Sequence, residues 1–170
     1  IIVQGDSIKN IMQNACEFLV GARSYLECTI GILNEKTGEI SPIARAGPLT
    51  HEKDWSITLD GDGDAPPCII ETVKSGKIEI INTKECDDCK FKREENIHTT
   101  VTVPMKRYDM VIGVIHIGFK DHVKIDEEEK SLLEEISDDL AFARDKILSE
   151  KDLEETKNRL ELAMDASDHG

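Results

Sequence analysis

The sequence predicts an α+β fold: a central, mainly antiparallel sheet of five or six strands, helices on both faces, and a long C-terminal helix. Three observations predict it. Short β-rich runs come in pairs joined by tight turns, the signature of antiparallel hairpins. Apolar residues near the N-terminus recur at helical spacing, so that segment must dock on a core. Residues 126–164 contain no Gly or Pro and are rich in Glu, Lys, Leu and Ala, all good helix formers.

The elements follow in order. Asp6 or Ser7 can cap a first helix, in which Ile8, Ile11, Met12, Ala15, Leu19 and Val20 form one apolar face. Gly21 is expected to end it. The run ECTIGIL reads as a strand, 34–38 as a turn, and 39–46 as the returning arm. Residues 55–59 give a short third strand, followed by an acidic, Gly-rich loop at 60–64. Pro66 and Pro67 suit the first turn of a helix running to about Lys74 and stopped by Gly76. A fourth strand covers 77–81. The polar stretch 82–96 holds room for a short helix near 90–95. A second hairpin then joins 99–106 to 111–119, and its apolar content places both arms inside the sheet.

The last helix begins at Asp126, whose spacing to Glu129 makes a capping box. Leu133, Ile136, Leu140, Ala143 and Ile147 stand 3, 4, 3 and 4 residues apart, the seam of a coiled coil. Continuous helix over this stretch would be roughly 55–60 Å long. After Ile147 the seam falls on Glu150 and Glu154, and apolar residues resume out of step at Leu153, Leu160 and Met164. The pattern therefore allows either one helix or two, parted between Leu148 and Asp152. The acidic start is a solvated helix end, and the alternating charges beyond it make an exposed face.

Bulk properties narrow the function. A chain of 170 residues with 39% hydrophobic content makes one domain plus an appendage. Its formal charge of −14 disfavours nucleic acid and anionic membrane surfaces. No apolar run reaches the ~20 residues of a membrane span. No signal peptide is present, and a start at Ile1 suggests that both ends are cuts from something longer. Five cysteines fit a reducing, cytoplasmic setting better than a disulfide framework.

The sharpest local motif is Cys86-Asp87-Asp88-Cys89. Two thiolates at this spacing can share a metal, but a structural zinc needs four ligands. Cys68, His51, His98 and His116 are scattered candidates, and none forms a second pair. Cys86 and Cys89, or one of them with Cys68, could instead form a reversible disulfide. The plainer reading is of unmodified thiols in a variable loop, and Asp87 and Asp88 disfavour a reactive thiolate. Trp55 is the single tryptophan and either packs at a strand start or covers an apolar ligand.

Order and local phrasing over roughly residues 5–148 resemble a GAF domain, a small-molecule sensing module of signalling proteins. The phrases are ACEFLVGARSYLECTIGILNEKTGEISPIARAG, then IIETVKSGKIEIIN, then FKREENIHTTVTVPMKRYDMVIGVIHIGF followed by DEEEKSLLEEISDDLAFA. In the third, Pro104 is expected to end one strand and Gly113 to sit in the next. RLELAMDASDHG at the end resembles the first helix of a PAS domain. Together these imply a sensory domain at 1–148, a helical linker at 149–158 and the beginning of a truncated PAS-like domain at 159–170, as in sensor histidine kinases.

The resemblance implies a non-catalytic cytoplasmic sensor with a pocket on the sheet face away from the terminal helices. Its pocket candidates are Trp55, Cys68, Cys86, Cys89 and His98. The ligand is an unknown small molecule, or the signal is redox state. The module is expected to be a homodimer through the helices Ile8–Val20 and Asp126–Leu148. No cofactor is required by the sequence. Some GAF sensors hold haem through His or Cys, so His98 and His116 are conceivable axial ligands, although a strand histidine is more often a core or surface residue. The cyclic-nucleotide motif and the bilin-attachment Cys-His pair are not visible. Free methionine sulfoxide reductases are single GAF domains with pocket cysteines, which makes a thiol-dependent enzyme the alternative. An empty dimerisation spacer is a third reading. Against the enzyme, no cysteine follows Cys89.

Overall fold

In the computed structural model, residues 4–23, 25–48, 56–59, 66–87 and 97–169 are described. The expected strand start at Trp55, the loop at 60–64, Cys89 and the short helix near 90–95 lie outside them. The described elements are α1 (Gln4–Arg23), β1 (Glu27–Asn34), β2 (Glu39–Ala46), β3 (Ile57–Thr58), α2 (Pro67–Ser75), β4 (Glu79–Asn82), β5 (Thr99–Arg107), β6 (Met110–Phe119) and α3 (Glu127–Asp168). The sheet order is β3-β2-β1-β6-β5-β4, with every described pairing antiparallel.

The two hairpins meet at β1 and β6, which pair from Glu27 opposite Gly118 to Ile32 opposite Gly113. Glycine is required there: a Cβ on Gly113 would lie 2.4 Å from the Gly31 carbonyl oxygen. At the far end of β5 and β6, Tyr108 and Asp109 both take positive φ, 51° and 64°. That is the mirror-image turn that matches strand twist, made here without glycine.

The sheet has a core on each face. On one, α1 and α3 pack over Cys28, Ile30, Val101, Val103, Met105, Ile115 and Ile117. On the other, Cys68 and Ile69 of α2 close over Ile40, Ile57 and Val114. Period-two alternation along β5 and β6 feeds both faces at once.

Several boundaries differ from the sequence reading. α1 passes through Asp6, Ser7 and Gly21 to reach Arg23. Nothing lies within 4 Å of where a Gly21 side chain would sit, so this glycine is an exposed helical residue and not a stop. Pro104 does not end a strand but sits inside β5, opposite Val114. Its carbonyl accepts from Ser137 of α3, so its amide side faces away from β6. β4 has ended by then, since it pairs only with Thr99 through Thr102. A residue with no N–H donor therefore costs no ladder bond.

α3 is one unbroken helix through the stretch where the seam slips. Asp126 caps it, accepting from the Glu129 amide at 2.8 Å. The apolar row is largely spent inside the chain: Leu133 and Leu140 are buried, and Ile136 and Ile147 pack on the margin of the same core. No helix among the described residues is long and apolar enough to cross a membrane.

Candidate functional site

The face of the sheet under α2 is unusually polar for a buried surface. Register places Thr29 of β1, His116 of β6 and Thr102 of β5 side by side across three strands. The next row holds Glu27, Gly118 and Thr100. Thr100, Thr102, His116 and Glu27 are all buried, the last with 7% of its surface exposed. Burying hydroxyls, an imidazole and a carboxylate costs free energy unless each finds a partner, so such a row is not an economical way to build a core.

Several partners are clear. The His116 Nδ1 and the Thr102 hydroxyl lie 3.0 Å apart. The Thr72 hydroxyl of α2 donates to the Thr102 carbonyl at 3.5 Å. The Glu27 side chain lies over Gly118, where an added Cβ would be 2.8 Å from its Cγ and 3.2 Å from Ile97. The Thr100 hydroxyl has no hydrogen-bond partner among the described residues. Burial in this layer pushes the His116 imidazole down to about 4, so it is neutral at physiological pH and acts as one donor and one acceptor.

The sequence-predicted residues distribute unevenly. Cys68 is buried in the second core, on the inner side of α2. His98 stands half-buried just before β5, its backbone amide bonded to the Phe119 carbonyl and its ring 5.0 Å from that of His122. Cys86 is a half-buried free thiol in the turn after β4. Trp55 and Cys89 lie outside the described residues. Among the described residues no group of His, Cys, Asp and Glu is arranged to hold a metal ion.

Two features escaped the sequence reading. One is the threonine-histidine row itself, whose signal was alternation: Thr100 and Thr102 flank buried valines, and His116 falls in step with Val114. The other is a thiol pair in the first core. Cys16 of α1 and Cys28 of β1 are both fully buried. A hydrogen bond to Cys16, then burial, then the charges of Cys16 and Glu27 push the Cys28 thiol well above its usual range, so it is an inert core thiol. Cys16 stood one turn after Met12 on the inner helical stripe, which was the available signal.

The polar face connects to α3 through β5. The Ser137 hydroxyl donates to the Pro104 carbonyl at 2.7 Å. The Arg107 guanidinium pairs with Asp145 at 2.9 Å and lies 4.8 Å from the Tyr108 ring centroid and 5.3 Å from that of Phe142. One hairpin thus carries the polar row on one side and grips α3 at two points on the other.

Comparison with known proteins places this arrangement. A family model described as GAF domain matches residues 5–145. No curated protein matches the chain. Among solved structures, the chain is similar to the type II free methionine-R-sulfoxide reductase from Thermoplasma acidophilum, at 19% identity and TM-score 0.72, over 85% of this chain and 96% of that one. It is similar to the GAF domain from Acinetobacter phosphoenolpyruvate-protein phosphotransferase, at 16% identity and TM-score 0.71, over 84% of each. It is also similar to the phycoerythrobilin-bound GAF domain from a cyanobacterial phytochrome, at 17% identity and TM-score 0.70, over 87% and 90%. At these identities the likeness is one of fold.

Proposed function

The chain belongs to the GAF domain family, and from that premise we propose that it is a non-catalytic sensory domain of a cytoplasmic signal-transduction protein of the sensor histidine kinase kind. A small ligand or a redox change acts on the polar face under α2. The hairpin β5–β6 carries the change to α3, which relays it along its length. A second copy joins along α1 and the docked half of α3. Phe18 there is 60% exposed, and helical spacing sets it in line with half-buried Ile11 and Ala15.

One observation carries the reading: β5, which holds Thr100 and Thr102 and pairs with β6 so that Thr102 meets His116, is also the strand that holds α3, through Pro104 and Arg107. The setting in a histidine kinase is supported by the PAS-like phrase RLELAMDASDHG at the end of α3. The domain division at 148 and 158 is part of the same proposal, with α3 spanning all three parts.

The test is mass spectrometry and metal analysis of the chain as purified, followed by a thermal-shift screen of small polar metabolites. A ligand at 100 times its Kd adds about 2.7 kcal/mol of stability. We expect such a stabiliser for the wild-type chain and none for His116→Leu. A dimer with no retained species and no stabiliser would favour an empty spacer. Thiol-dependent reduction of free methionine sulfoxide, lost in Cys86→Ser, would replace the sensor with an enzyme.

A further inference from the structure

Arg144 stands on the apolar stripe of α3. Its neighbours one turn away on either side are Leu140, Ala141, Ile147 and Leu148, so the helix offers it no carboxylate. Leu140 and Ala141 are buried, and Ile147 and Leu148 pack on the margin of the first core. Arg144 itself is half-buried and makes no ion pair or hydrogen bond with any described residue. A chain with 35 acids against 21 Lys and Arg has counter-ions to spare, yet none of the described ones is spent here. A partly desolvated charge in this position gains from an anion that can reach it.

The residue lines a groove of about 670 Å³ between α3 and the end of the first hairpin. That lies within the range of small-molecule sites, ~300–1,000 Å³. Ile32 of β1 and Ile112 of β6 supply apolar lining. Asn34, Lys36 and Ser41 line it from the hairpin. The Asn34 side-chain oxygen already accepts from the Lys36 and Thr37 amides, at 3.0 and 3.4 Å, which leaves its NH2 as the group to offer. The polar lining is thus mostly donors. Glu35 is the one carboxylate among the described residues there, exposed and paired with neither cation.

The groove is separate from the polar face. Ile32 and Ile112 belong to the core under α1 and α3, whereas His116 lies in the layer under α2. No described residue of α1 lines it, so it is also apart from the row of Ile11, Ala15 and Phe18.

We infer that this groove is a second ligand site, which takes a small monocarboxylate with an apolar body: the carboxylate on Arg144, the body on Ile32 and Ile112. A planar guanidinium matches a carboxylate through two parallel hydrogen bonds. Polyanions are disfavoured, because Glu35 is close by and the formal charge of the chain is −14. The next residue, Asp145, is the one that pairs with Arg107, so an acid bound here acts on α3 directly and not through β5.

An amide-resolved NMR titration of the full chain with hexanoate and phenylacetate tests it. We expect saturable shifts centred on Ile32, Asn34, Ile112 and Arg144. Hexanol, the same body without the charge, should bind roughly tenfold more weakly, and hexylamine more weakly still. Arg144→Gln should weaken hexanoate roughly tenfold and leave hexanol unchanged. Arg144→Lys, which keeps the charge but not the fork, should recover part of the loss. His116→Leu should leave hexanoate binding intact, so this site stands or falls apart from the sensory reading of the polar face. No saturable shift with either acid overturns the inference. So does hexanoate binding that survives Arg144→Gln, or shifts that centre on the polar face and vanish in His116→Leu.

Discussion

Ser137, fully buried on α3, gives its hydroxyl to the carbonyl of Pro104, in the middle of β5. The bond ties the long helix to the hairpin that carries the polar face. Ser137→Ala leaves a buried carbonyl without this donor and should cost about 1–3 kcal/mol. Urea unfolding measures it, and a loss below about 0.5 kcal/mol would show that the bond has little net value.

Arg107 is the second tie. Its pairing with Asp145 is partly exposed, so the charge contribution is small, roughly 0–1 kcal/mol. The stacking on Tyr108 and Phe142 adds a part that Asp145 does not share. Arg107→Ala should therefore destabilise more than Asp145→Ala, by about 0.5–1 kcal/mol. Arg107→Lys should recover only a fraction, because an ammonium lacks the planar face. Equal losses for both alanine variants would mean that the rings do not contribute.

His116 makes stability depend on pH. Its folded-state value is lowered to about 4, against about 6.5 when unfolded. Between those values the unfolded chain binds the extra proton, so stability falls as pH drops through this window. The contribution is intact above about pH 6.5, and about 2 kcal/mol of it is gone by pH 5. The difference between pH 7 and pH 5 should shrink by that amount in His116→Gln. An unchanged difference would place the titration elsewhere.

Gly113 and Gly21 should respond in opposite directions to alanine. At Gly113 the new methyl meets the Gly31 carbonyl at 2.4 Å, so β1 and β6 must part. A loss of about 1–3 kcal/mol, or insoluble protein, is expected. Gly21 lies in a helix with open space around it, and alanine there should stabilise by roughly 0.5–1 kcal/mol. Melting curves of the two variants check both.

The sequence made much of this fold legible because hairpins and helix faces are local patterns. The turn at 34–38 and the arms around it were placed by β-rich runs and Gly38. The cap at Asp126 was readable because it joins residues only three positions apart, although the Glu129 carboxylate goes to Arg23 and Tyr25 and does not complete the expected capping box. Pro104 misled because proline usually breaks a ladder, and only the early end of β4 frees that position. The coiled-coil seam misled differently: a 3, 4 spacing says which face is apolar, not whose surface covers it. The polar row was invisible for a related reason. Thr29, Thr102 and His116 lie on three strands and are neighbours only through register. Local motifs such as Cys86-Asp87-Asp88-Cys89 drew attention instead, while the thiols that meet are Cys16 and Cys28.

Amide hydrogen exchange along α3, compared between the wild-type and His116→Leu chains at pH 7, tests the central claim most directly. His116 faces α2, across the sheet from α3. If the hairpin couples the polar face to the helix, protection will change in β5 and β6 and also in α3 between Ser137 and Asp145, where Pro104 and Arg107 hold it. A change confined to α2 and the strands, with α3 exchanging as in the wild type, would contradict the account.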